Sequence, residues 1–128
     1  MPDTVADLIA RAKTQIENLT PEQAAREAAE GAVLVDLREA SETAADGVIE
    51  GAVLAPRGML EFYADPASPY HRAEFEPTRR TIVYCASGGR SALAAMTLTG
   101  LGYTDVAHLD GGIKGWREAG QPLVAPGS

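Results

Sequence analysis

Residues 81–95 constrain this chain more than any other stretch. Thr81-Ile82-Val83-Tyr84 is rich in β-branched and aromatic side chains and predicts a short buried strand. Ser91-Ala92-Leu93-Ala94-Ala95 is Ala- and Leu-rich and predicts a helix. Between them lie the single cysteine of the chain, Cys85, then Ala86, Ser87, Gly88, Gly89 and Arg90. A cysteine at the carboxyl end of a strand, in a tight loop that opens a helix, occupies the place where α/β proteins hold ligands. Loop amides and a helix N-terminus favour negative charge on the sulfur there. The rest of the chain reads as a scaffold for this loop.

Length and charge narrow the possibilities. A chain of 128 residues is one domain with room for a real core. The net charge of −7 argues against nucleic-acid and anionic-membrane partners. An anionic substrate then needs a local positive site in place of long-range steering. No run approaches the roughly 18 apolar residues that would span a bilayer, and the early acids do not fit a secretory signal. One cysteine excludes an internal disulfide, and with two scattered histidines it leaves no zinc pattern. The expected setting is reducing and cytoplasmic, with no metal and no cofactor.

In chain order, Val5, Leu8, Ile9, Ala12 and Ile16 fall at helical spacing and predict an amphipathic packing helix over 3–14. A short strand is expected at 15–18. Thr20-Pro21-Glu22-Gln23 has the form of a capped helix start, with that helix ending at Gly31. Ala32-Val33-Leu34-Val35-Asp36 is a continuous apolar run typical of a central parallel strand. A short helix over 39–46, a turn to Gly51 and a strand over 52–55 follow. The long connection from Pro56 to Arg80 is expected to hold a helix near Gly58–Tyr63. Beyond the loop, the helix stops at Gly102, a strand covers 104–109, and a closing helix over 113–119 carries Trp116. The division expected is an N-terminal helical extension at 1–14, a domain at 15–122 and a flexible tail at 123–128. Strands alternating with helices imply a parallel sheet covered on both faces.

Four segments together resemble a known family. Val35-Asp36-Leu37-Arg38-Glu39 is similar to its Val-Asp-Val-Arg-Glu segment, and Cys85-Ala86-Ser87-Gly88-Gly89-Arg90-Ser91 to its active-site loop. Leu101-Gly102-Tyr103, and then Leu109-Asp110-Gly111-Gly112-Ile113-Lys114-Gly115-Trp116, resemble its closing signature. On these motifs the chain resembles the single-domain rhodaneses, the thiosulfate-type sulfurtransferases. The segment Gly47-Val48-Ile49-Glu50-Gly51-Ala52 departs from the family's Gly-His-Ile-Pro-Gly-Ala, a difference in turn shape more than in chemistry. The resemblance implies a three-layer α/β/α fold with a central parallel sheet of about five strands, to which the N-terminal helix is an addition.

It also implies an activity: Cys85 takes a sulfane sulfur from a donor such as thiosulfate, carries it as a persulfide, and passes it to a thiol, cyanide or a protein acceptor. The sulfur anion must be held by fixed dipoles. Amides from Ala86 to Ser91 are expected to form that cradle, with Gly88 and Gly89 permitting the close backbone approach. A helix N-terminus contributes only about 0.3–1 kcal/mol toward a nearby anion, so Arg90 and the loop amides must contribute too. Arg90 matches sulfonate oxygens bidentately, unless it only bonds carbonyls at the helix start.

Two other classes remain as alternatives. Cysteine-dependent phosphatases and arsenate reductases resemble this element but place five residues between cysteine and arginine. Here four, Ala86 to Gly89, separate Cys85 from Arg90, a ring better sized for sulfur. A non-enzymatic persulfide carrier is the other alternative. Asp36 and Arg38 are expected to brace the loop by an ion pair without touching substrate. Arg57, just past a strand end, is either a pocket residue or a solvated one. His71 reads as a surface residue or one lining the pocket, Tyr84, His108 and Trp116 as structural, and Ser91 as a hydroxyl near the sulfur or an ordinary cap.

Overall fold

A computed structural model describes residues 3–127. Five parallel strands form one sheet: β1 (Glu17–Leu19), β2 (Val33–Asp36), β3 (Val53–Leu54), β4 (Thr81–Tyr84) and β5 (Val106–Leu109), in spatial order β1-β5-β4-β2-β3. The helices are α1 (Val5–Lys13), α2 (Pro21–Ala29), α3 (Ala40–Asp46), α4 (Leu60–Ala64), α5 (Gly89–Gly100) and α6 (Gly112–Glu118). A 3-10 turn at Arg57–Met59 leads into α4. Among the described residues, no helix is long and apolar enough to cross a membrane.

Both sheet faces are covered, and the central strands β2 and β4 are buried at every position. Period-2 alternation sends Val33, Val35, Val83 and Cys85 into one core with Ala94, Ala95 and Leu98 of α5. Leu34, Ile82, Tyr84, Ala107 and Leu109 enter the other core with Ala24 of α2 and Trp116 of α6. β4 is central, and successive connections leave β2 and β4 toward opposite edges. That reversal opens a crevice at the carboxyl ends of the strands, and Cys85 stands there, directly after β4.

The helix starts are set locally. Thr4 with Asp7, and Thr20 with Gln23, form reciprocal capping boxes. Strand edges differ modestly from expectation. The turn closing α1 carries hydrogen bonds to Gln15, so β1 begins at Glu17 instead of residue 15. Thr104 is drawn off to the Pro77 carbonyl before β5 begins. Near the C-terminus Val124 exchanges both backbone hydrogen bonds with Val48 at 2.8 Å, and Trp116 Nε1 donates to the Pro122 carbonyl.

Candidate active site

Cys85 is 1% exposed, yet its sulfur is not left to apolar neighbours alone. Gly88 N donates to Sγ at 3.2 Å and Ser91 N at 3.4 Å, and the Ser91 hydroxyl lies 3.6 Å away. The sequence predicts a cradle of six amides; two of them reach the sulfur itself. Gly88, the N-cap of α5, has φ +108°, a left-handed angle that few other residues adopt.

The loop is held from below by α6. Ile113 N donates to the Cys85 carbonyl at 2.9 Å and Lys114 N to the Ala86 carbonyl at 3.1 Å. At Gly112 an added Cβ would stand 2.6 Å from the Cys85 and Ala86 backbone, and φ there is +60°. Gly112 is bare because the loop that carries Cys85 rests on it.

At the end of β2, beside the strand that precedes Cys85, Asp36 and Arg38 form an ion pair. Asp36 accepts from Arg38 N, Nε and Nη2 at 3.0, 3.1 and 2.8 Å, and Arg38 Nη2 also reaches the Gly47 carbonyl. Both side chains are fully buried. Burial alone would lower the Arg38 pKa, but hydrogen bonds and charge from Asp36 raise it overall. Between the two, Leu37 N bonds the Tyr84 carbonyl, one residue ahead of Cys85. Tyr84 is a strand residue as expected; its hydroxyl accepts from Ile49 N, and burial raises its pKa.

Arg90 departs from α5 toward α3, where Nη1 and Nη2 take both oxygens of Glu42 at 2.7 and 2.9 Å. Those hydrogen bonds hold the Glu42 carboxyl down at about 2 and raise the Arg90 pKa against the cost of burial. Arg57 goes elsewhere. Its guanidinium donates to Glu61 of α4 and Thr97 of α5, two turns along α5 from the loop.

Ser91 and His108 exceed their sequence reading. Gly88, not Ser91, is the N-cap of α5. The Ser91 hydroxyl turns inward to His108 Nδ1 at 2.9 Å, and His108 Nε2 meets Asn18 Oδ1 of β1 at 2.8 Å. His108 is fully buried; burial lowers its pKa, with Asp110 opposing that and Lys13 adding to it. Glu42, His108 in this role and Asn18 were not legible as site residues. The available signal was a histidine at an inward strand position, which must find a polar partner. His71, by contrast, bonds the Phe75 carbonyl within the long connection.

Comparison with known proteins agrees with this arrangement. Residues 20–119 match the family described as the rhodanese-like domain. A sulfurtransferase of Allochromatium vinosum is 36% identical over 97 residues, covering 76% of this chain and 82% of that protein. A thiosulfate sulfurtransferase of Pseudomonas entomophila is 32% identical over 117 residues, 90% of this chain and 97% of that protein. Among solved structures, a Rhodopseudomonas palustris protein of unknown function, described as a possible tyrosine phosphatase, matches at 40% identity. Its TM-score is 0.88, over 97% of this chain and 99% of that one.

Proposed function

Because this chain belongs to the rhodanese-like domain family, we propose that it is a sulfurtransferase carrying a sulfane sulfur as a persulfide on Cys85. The observation that carries this reading is the pair of amides, from Gly88 and Ser91, donating to the only cysteine sulfur at a strand–helix junction. The Cys85 thiolate attacks the sulfane sulfur of a donor such as thiosulfate. A new S–S bond forms, the donor's S–S bond breaks, and its electron pair leaves with sulfite. A thiol, cyanide or protein acceptor then takes the outer sulfur, and the electron pair of the breaking bond returns to Cys85.

The site supplies what each half needs. Gly88 and Ser91 amides hold the inner sulfur in either state. At the start of α5, Gly89 and Arg90 have no intrahelical carbonyl for their amides. With those of Ala86 and Ser87, they are the donors available to the outer sulfur and to sulfonate oxygens. Arg90 binds a sulfonate by exchanging Glu42 for it. A sulfite leaving group needs no general acid, and four residues between Cys85 and Arg90 make a ring suited to sulfur. A reducing compartment keeps such a thiol available.

The test is the intact mass of the protein after thiosulfate treatment. The wild type gains one sulfur atom, lost again on adding cyanide or a thiol, and Cys85→Ser gains none. The description of the Rhodopseudomonas palustris neighbour supplies a second reading, phosphoryl transfer. Hydrolysis of p-nitrophenyl phosphate without sulfur uptake would establish that reading in place of ours. Uptake only from a partner protein's persulfide would identify a carrier.

A further inference from the structure

The contacts that begin at Cys85 continue through the sheet to its edge. Sγ, Ser91 Oγ, His108 Nδ1, His108 Nε2 and Asn18 Oδ1 form one line, with gaps of 3.6, 2.9 and 2.8 Å. The far end fixes the direction of every proton in it. Asn18 Nδ2 donates to the Lys13 and Ile16 carbonyls at 2.9 and 3.1 Å, so Oδ1 is the atom that faces His108. An amide oxygen only accepts, so Nε2 carries a hydrogen. In the neutral ring Nδ1 is then bare, and the Ser91 hydroxyl, 2.9 Å from Nδ1 and 3.3 Å from the Gly88 carbonyl, donates to the nearer acceptor. That leaves Ser91 only lone pairs to offer the sulfur, and the thiol S–H points at them.

We propose that His108, acting through Ser91, receives the proton that Cys85 releases when its sulfur becomes nucleophilic. The S–H bond breaks as Ser91 Oγ takes that proton, and the former Ser91 hydroxyl proton forms a new bond to Nδ1. Thiolate and imidazolium result, with no change in total charge and no oxidant or reductant. Nδ1–H now donates to Ser91 Oγ, which frees the hydroxyl to donate to the thiolate. His108 is a positioning residue here, since it touches neither sulfur donor nor acceptor. Burial disfavours an isolated imidazolium, so the two charges arise together. The other charged groups facing the ring are Asp110, after β5, and Lys13, of α1. They are paired at 3.1 Å and act on His108 with opposite sign.

This inference rests on Cys85 being the nucleophile, so its test reads the thiol directly and not turnover. The rate of Cys85 alkylation by iodoacetamide is followed against pH in the wild type, His108→Gln, Asn18→Asp and the double variant. His108→Gln keeps hydrogen-bonding groups but accepts no proton. Its profile should move about one unit toward higher pH, slowing alkylation about tenfold near neutrality. Asn18→Asp places a carboxylate on Nε2–H, which stabilises the imidazolium and should move the profile about half a unit toward lower pH. A carboxylate acting on the sulfur directly would repel the thiolate and move it the other way, so the sign separates relay from plain field effect. In the double variant the downward shift should vanish.

A His108→Gln profile that overlays the wild type, with an unchanged melting temperature, would overturn the inference. An upward shift in Asn18→Asp would do the same. Asn18 is exposed, so that variant decides the matter even if His108→Gln does not fold. Sulfur uptake by mass is scored separately: its absence alongside these shifts would remove the sulfurtransferase reading and leave the relay standing.

Discussion

Two arginines lie close to the reactive loop, each held by a carboxylate through two or more hydrogen bonds, and they do opposite jobs. Arg38 and Asp36 are neighbours in sequence and have no side-chain exposure. Arg90 and Glu42 are 48 positions apart, with side chains 38% and 31% exposed. The first pair is sealed, so removing one partner strands a charge in the interior. The second is partly exposed, so water can replace either partner at little cost. A sealed pair holds the scaffold; an open pair holds a guanidinium that an incoming anion can claim. On the proposed function, Glu42 would compete with an anionic donor for Arg90.

The sharpest way to break this contrast is Asp36→Ala. It should cost about 3–5 kcal/mol, read from urea unfolding. A loss under about 1 kcal/mol would mean that the buried pair is no more structural than the open one. Arg90→Ala should leave the melting temperature nearly unchanged while kcat/KM for thiosulfate falls about 10- to 100-fold, the worth of a charged hydrogen-bonding partner. A collapse in stability with KM unaltered would reverse the two roles. Glu42→Gln is the gentlest change. It should lower KM for thiosulfate about threefold and cost less than about 1 kcal/mol.

The pH dependence of that last difference has a definite sign. Glu42 is held at about 2 in the folded protein, against 4.5 ordinarily. Its contribution is therefore complete above pH 4.5, declines as pH falls from there toward 2, and is absent below. Unfolding of wild type and Glu42→Gln should differ at pH 6 and converge near pH 2.

What the sequence disclosed was whatever is decided over a few neighbouring residues. The Thr20 capping box, the apolar run of β2 and the strand–loop–helix around Cys85 are local patterns. The Asp36–Arg38 pair spans two positions and could be read the same way. Glu42 with Arg90, Ser91 with His108 and His108 with Asn18 are separated by 48, 17 and 90 positions. No periodicity records such meetings; the order of strands creates them. Arg80 is the same case at the opposite end of the sheet, gathering Glu17, Glu27 and Asp105 from three segments. The docking of Val124 onto Val48 escaped notice because Gly and Pro around it describe how a chain bends, not what it meets.

The residues before Thr20 lie outside the four family-like segments, yet they pack beside the loop that carries Cys85. Ile9 packs against Gly89 at the first turn of α5, Lys13 reaches Asp110, and β1 lays Asn18 beside His108. Drift in this leading stretch would retune the chemistry at Cys85 while the reactive loop kept every letter. Two homologues with the same loop but different opening segments need not share a working pH, and loop motifs alone would file them together.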